Sequence, residues 1–178
     1  MSENAITYVE LDVSPDLAAG RAADITDWLL AEGIVVRNPT PDLHQPSELI
    51  PGPKAGDVAP DAYQFLGLSN SGLDVIAERD IHHPVENYEP PPCPSCKTPL
   101  DSDYHYSLVE DWIAGTEPAV TCQNCGETNR IGDWVHDFTF YIGNLAVRFN
   151  NWTPLSEEFT ADLVSRVGTR WRLVLEHS

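Results

Sequence analysis

The sequence predicts an α+β fold: one antiparallel sheet with two helices on one face, and an insertion between the two halves that build the sheet. Three observations carry this reading. A strand–helix–strand pattern stands at each end of the chain. Both patterns share the same punctuation, a hydroxyl residue and proline before the helix and a glycine after it. All four cysteines fall between them, in two C-x-x-C pairs. A chain of 178 residues is long enough for one good core, or one core and a satellite.

The first unit opens with ITYVELDV, Ile6 to Val13. Thr7, Val9, Leu11 and Val13 alternate with Tyr8, Glu10 and Asp12, the period of a half-buried strand. Ser14-Pro15-Asp16 then supplies an N-cap hydroxyl, a proline for the first helical position and an acid at the positive helix end. The helix is expected to run to about Glu32, with Ala18, Ala22, Ile25 and Leu29 as its apolar stripe and Trp28 beside them. Gly33 suits the left-handed residue after a helix. IVVR, Ile34 to Arg37, is the next strand.

The second unit repeats the plan. In LAVRFNNW, Leu145, Val147 and Phe149 alternate with Ala146 and Arg148. Thr153-Pro154 is the expected helix opener, with Glu157 and Glu158 in or near the first turn. Phe159, Leu163 and Val167 recur every four residues, and Gly168 closes the helix. RWRLVLEH, Arg170 to His177, follows as a strand with Trp171, Leu173 and Leu175 on one face. Two such units interleave into one antiparallel sheet, and the arrangement resembles the ferredoxin-like plan. Right-handed crossovers would set the first strand of each unit in the centre. Placing Val9, Leu11, Val147, Phe149, Trp171 and Leu173 against the helices turns Tyr8, Glu10, Asp12, Arg148, Arg170 and Arg172 to the other face. There the arginines would meet acids in cross-strand ion pairs, either under the insertion or as a binding surface.

Residues 1–81 and 138–178 are thus read as a discontinuous α+β domain, and 82–137 as linker and insertion. Asn38 to Pro60 reads as a Pro/Gly-rich loop. LDVIAER, from Leu73, reads as an extra strand, and HHPVENYEPPP, from His82, as a linker. FTFYIGNLAVRF, from Phe138, reads as a hairpin turning at Gly143-Asn144.

Cys93 and Cys96 are separated from Cys122 and Cys125 by twenty-five residues. Two C-x-x-C turns can present four soft ligands to one ion, and zinc takes four thiolates in a tetrahedron. CQNCG ends in a glycine where a positive φ is useful, whereas CPSCK has Lys97 there. Pro92 to Val135, about a quarter of the chain, resembles a zinc ribbon. The resemblance implies one structural Zn2+ per chain on Cys93, Cys96, Cys122 and Cys125, with no position open for substrate. Tyr104, Tyr106, Leu108, Val109 and Trp112 would supply the spacer's strands and small core, with Trp134 packed against it. Buried free thiols or a redox C-x-x-C are the alternative uses of the four cysteines.

The formal charge is -18, from 28 acids and 10 bases. Residues 1–92 carry -12, residues 93–137 carry -6, and residues 138–178 balance. Nucleic acids and anionic membranes are poor partners for such a chain, and a basic protein is a good one. A third reading, nucleic-acid binding through the cysteine segment, requires a basic patch that Lys97 and Arg130, its only cations, do not supply. MSENAITYVELD has neither a basic start nor an apolar run, and no stretch approaches the ~20 apolar residues of a membrane span. The expected location is the cytoplasm, where thiols stay reduced.

Asp80, His82 and His83, or Asp101, Asp103 and His105, are candidates for a second metal site. No catalytic signature such as G-x-S-x-G or H-E-x-x-H occurs. The H-x-E half of a deaminase signature is missing too, since His82, His83 and Glu86 have the wrong spacing. The leading expectation is a non-catalytic acidic protein-binding module, an immunity-type inhibitor or regulatory adaptor for a basic partner. The alternative is an enzyme with a site between sheet and ribbon that uses His82, His83, Asp101 and His105.

Overall fold

A computed structural model of the chain describes residues 4–64 and 66–177. Residues 1–3, part of the stretch tested for a secretion leader, lie outside that range. In order, the elements are β1 (Asn4–Glu10), α1 (Pro15–Ala31), β2 (Val35–Arg37), β3 (Leu49–Pro51), α2 (Ala55–Val58), β4 (Gly72–Ile76) and β5 (Asp80–His82). Then come α3 (Ser102–Ser107), α4 (Val109–Ile113), β6 (Ala119–Thr121), β7 (Thr128–Arg130), β8 (Tyr141–Gly143), β9 (Leu145–Asn150), α5 (Glu157–Val167) and β10 (Trp171–His177). The fold is α+β with few helices, and the strand pairings within its sheets are antiparallel. No described helix is long and apolar enough to cross a membrane.

The main sheet has six strands in the order β10-β1-β9-β4-β3-β2. The first strands of the two end units, β1 and β9, lie side by side in register from Ala5↔Asn150 to Glu10↔Leu145. A four-strand sheet built from those units alone would set β2 beside β9. Instead β4 and β3 stand between them, and β2 is the edge. β3 and α2 both arise in the segment expected to be a Pro/Gly-rich loop.

Both long helices pack on one face. Ala18, Ala22, Ile25 and Leu29 of α1 and Phe159, Leu163 and Val167 of α5 share a core with Tyr8, Leu73, Val147 and Phe149. Trp28 stacks on Phe159 at 5.5 Å between ring centres, and the Arg166 guanidinium lies 4.3 Å over the Trp28 ring. Pro15 is at the start of α1 as expected, but the Ser14 side chain makes no capping bond. Gly33 takes the left-handed conformation, φ +72°. In the second unit the cap is Ser156, whose hydroxyl accepts from the Phe159 N–H at 3.3 Å. Thr153-Pro154 therefore precedes the helix without opening it.

The other face of the sheet is covered. Val9, Leu11, Ala146 and Val174 form a second core with Trp112, Val120, Ile131, Trp134, Phe140 and the Cys93 and Cys122 side chains. This corrects the expected facing of β1. Tyr8 points to the helices, and Val9 and Leu11 point to the cysteine segment. Register agrees, because Tyr8 lies opposite Val147 and Leu173, and Val9 opposite Ala146. With both faces buried, both phases of β1 carry apolar residues, and a one-residue slip in the reading exchanges the faces.

The expected hairpin at Gly143-Asn144 is absent as well. β8 pairs with β5, Asp80↔Gly143 to His82↔Tyr141, while β9 enters the main sheet. Asn144 is the crossing point, and its side-chain amide donates to the Val13 carbonyl at 2.7 Å. Gly143 is required there, since a Cβ would meet the Glu10 backbone oxygen.

Candidate metal centre

Each cysteine pair sits in a turn, and the two turns are built alike. In the first, the Cys93 N–H donates to the Thr98 carbonyl at 2.9 Å and the Lys97 N–H to the Cys93 carbonyl at 3.0 Å. In the second, the Cys122 N–H donates to the Glu127 carbonyl at 2.8 Å and the Gly126 N–H to the Cys122 carbonyl at 2.9 Å. The residue after each second cysteine is left-handed, Lys97 at φ +61° and Gly126 at φ +77°. β6 and β7 carry the second turn, closing on Thr121↔Thr128. A bridge between Pro92 and Pro99 flanks the first.

The turns bring the four sulfurs together. Their Sγ atoms all lie within 4.8 Å of one another. Cys93 and Cys125 are 3.7 Å apart, and Cys96 and Cys122 are 3.6 Å apart. A tetrahedron of sulfurs about 2.3 Å from a central ion has edges of about 3.8 Å. The donor set therefore fits a single four-thiolate ion. These distances also exclude bonded sulfurs, and all four cysteines are free of disulfides.

Local polar groups favour thiolates at the first pair. Backbone N–H groups of Cys96 and Ser95 draw the Cys93 thiol pKa down. The Asn124 side chain, with Thr98, draws Cys96 down to about 5. The Glu127 N–H favours a Cys125 thiolate, but burial and the neighbouring sulfurs prevail and push it up to about 12. Four crowded thiols without a cation cannot all lose their protons; a divalent ion removes that conflict.

Among the described residues, no other group of three His, Cys, Asp or Glu side chains gathers at ligand distance. The strings Asp80, His82, His83 and Asp101, Asp103, His105 therefore do not assemble a second centre. Asp101 caps α3, accepting from the Tyr104 N–H at 2.9 Å. His82 is buried on β5, its Nε2 has no partner, and burial lowers its pKa to about 4. His83 and His105 do come together, in an aromatic stack. The His105 ring lies 4.0 Å from Phe140, and its Nδ1 is 3.0 Å from the Tyr88 hydroxyl. His83 Nδ1 accepts from the Val85 N–H at 2.9 Å, which leaves Nε2–H to donate to the Tyr106 hydroxyl at 2.8 Å. Burial, with His83 nearby, lowers the His105 pKa to about 4. This stack gathers residues from three separate stretches, so no local pattern announced it.

The arginines of the sheet meet acids, mostly from the insertion. Arg170, buried, contacts Asp12 at 3.0 Å, Glu117 at 2.5 Å and Asp133 at 2.9 Å. Burial works against its charge, and the carboxylates more than offset that, raising its pKa. Arg172 also reaches Asp133, at 3.0 Å. Arg148 bonds Glu176 across β1 at 2.7 Å. Of the two cations in the cysteine segment, Lys97 donates to the Pro94 carbonyl and Arg130 pairs with Asp12. A cleft of about 570 Å³ lies beside the second turn, lined by Pro99, Leu100, Tyr104, Thr121, Gln123 and Trp134 among others.

Fold and site together define an α+β protein with a four-cysteine cluster set for a metal ion. No protein-family model, curated protein or solved structure matches the chain.

Proposed function

We propose that the chain is a non-catalytic, acidic protein-binding module whose Pro92 to Val135 segment is a zinc ribbon. One Zn2+ per chain would be held by Cys93, Cys96, Cys122 and Cys125. The observation that carries this is the closed donor set. Four sulfurs at tetrahedral spacing leave no position for water or substrate, so the ion's role is to hold structure. The main sheet fits a ferredoxin-like core, β10-β1-β9 with β2, widened by β3 and β4. The cytoplasm is the compartment that keeps such thiols reduced.

With a formal charge of -18 the module would attract a basic protein, as an immunity-type inhibitor or a regulatory adaptor does. The enzyme alternative fits less well. Asp101 is committed to a helix cap, and His82 and His105 are buried and neutral.

Metal analysis of purified protein tests the ion: one zinc per chain is expected, and metal-free protein with the four sulfurs still gathered overturns it. Cobalt substitution should give the absorption of a tetrahedral four-thiolate site. A tagged pull-down from native lysate at low and high salt tests the partner. A stoichiometric basic protein lost at high salt is expected; a salt-independent partner, or none, overturns the binding-module reading.

A further inference from the structure

We propose that the outer edge of β6 and the cleft beside it dock an extended segment of the protein partner. That segment would carry a bulky apolar side chain flanked by Lys or Arg. The inference rests on the binding-module reading and names where the partner sits.

The edge follows from the ladder. The Cys122 N–H donates to Glu127, and the Ile131 N–H donates to Pro118 at 2.9 Å. Antiparallel pairs alternate between bonded and non-bonded, so Val120 and Asn129 form the bonded pair between those two. Ala119 and Thr121 must then turn their N–H and C=O groups away from β7. Both residues are exposed, and among the described residues β7 is the only strand beside β6. The Gln123 side-chain amide reaches the Thr121 carbonyl at 3.4 Å, a long bond that an added strand would replace; an edge without a neighbouring strand is a template for one.

The cleft begins at the end of β6: Thr121, Cys122, Gln123 and Asn124 line it together with Pro99 and Leu100, and no residue of β7 takes part. Its lining is mostly apolar, and its volume is that of a ligand site rather than a packing gap. Trp134 contributes to it, and that side chain is buried with an indole N–H that has no partner. Main-chain bonds along β6 would supply affinity, and the cleft would select the side chain.

Charge identifies the occupant. The segment 93–137 has eight acids against two bases, and one of those, Arg130, is paired with Asp12. Asp101 stands on the cleft wall. Cations flanking the apolar side chain are therefore favoured. A second copy of this chain is not, because it would bring another -18 to the same place.

The test uses the zinc-loaded full chain and labelled heptapeptides with Lys at both ends, Thr between, and Leu, Phe, Ala or Asp at the centre. Fluorescence anisotropy should show the Leu or Phe peptide binding at least tenfold more tightly than the Ala or Asp peptide. N-methylation of alternate peptide amides, which keeps the charge, should weaken it at least tenfold. Amide exchange at Ala119 and Thr121 should slow when peptide binds. The proposal is overturned if no peptide binds, or if binding ignores both the central residue and N-methylation. It is equally overturned if the chain self-associates and protects those two amides without peptide. A salt-sensitive basic partner in the pull-down, with no peptide binding, would leave the binding module standing and remove only this docking site.

Discussion

Lys97 and Gly126 occupy the same place in two like turns, and the left-handed backbone suits only one of them. A side chain there costs about 1–2 kcal/mol, partly offset by the smaller unfolded-state entropy of a non-glycine residue. Lys97→Gly should therefore raise the stability of the metal-loaded protein by roughly 0.5–1 kcal/mol, and Gly126→Ala should lower it by about 1 kcal/mol. Denaturant titration with metal bound measures both; equal effects of the same sign would contradict the parallel. The histidines give a pH signature. His82 and His105 are held near a pKa of about 4, against 6.5 when free, so the unfolded chain binds more protons between those values. Stability should be fully present above pH 6.5 and fall as pH drops toward 4, by roughly 3 kcal/mol per ring. His105→Phe keeps the stack on Phe140, removes one titrating group and the unpaired Nε2, and should remove about half of that fall. An unchanged pH profile in this variant would show that His105 does not contribute. The gathering of the four cysteines could be read from spacing alone, because each C-x-x-C turn is local. The role of Asn124 could not, since it acts on Cys96 of the other turn.

At the scale of elements, the spacer between the cysteine pairs is helical where strands were expected. Tyr104, Tyr106, Leu108, Val109 and Trp112, expected to supply strands, fall in or beside α3 and α4. His105, Leu108, Val109 and Trp112 are the residues that pack inward, at helical spacing i, i+3, i+4 and i+7. Asp101 adds a helix start signal three residues before Tyr104. Removing that cap with Asp101→Ala should cost about 1 kcal/mol. Asp101→Asn should restore most of it, as capping requires an acceptor and not a charge. Loss of function in Asp101→Asn at unchanged stability would instead speak for a chemical role. The two end units were legible because each is a local pattern, and α1, α5, β1, β9 and β10 occur in the order that pattern gives, although α5 opens at Ser156 and not at Thr153-Pro154. The facing of β1, the partner of β8 and the place of β2 were not legible. Each depends on what covers or neighbours a strand from far along the chain, and alternation says nothing about that when both faces are buried.

The molecule as a whole has two cores, one on each face of a shared sheet, and they differ in what holds them. The helix-side core contains no cysteine. The other contains Cys93 and Cys122 and short elements of three to six residues, too small to persist alone. It is fastened to the sheet by Arg170 and Arg172, which reach Glu117 and Asp133, and by the close seat of Gly132, where a Cβ would strike the Leu11 side chain. Removing the metal should therefore act in sequence. Chelation releases one ion per chain, and the amides of Cys93, Lys97, Cys122 and Gly126 lose the turn bonds that protected them. Arg170 then loses Glu117 and Asp133 as the segment loosens, leaving Asp12 as its remaining carboxylate. Amides shared by β1, β9 and β10 should remain protected, because their ladder and the helices behind them are untouched. Hydrogen exchange with and without chelator, read segment by segment, measures this order. Loss of protection across β1, β9 and β10 at the same rate as in residues 92–135 would mean that the two cores fold as one unit, with the ion holding the whole molecule and not only one side of it.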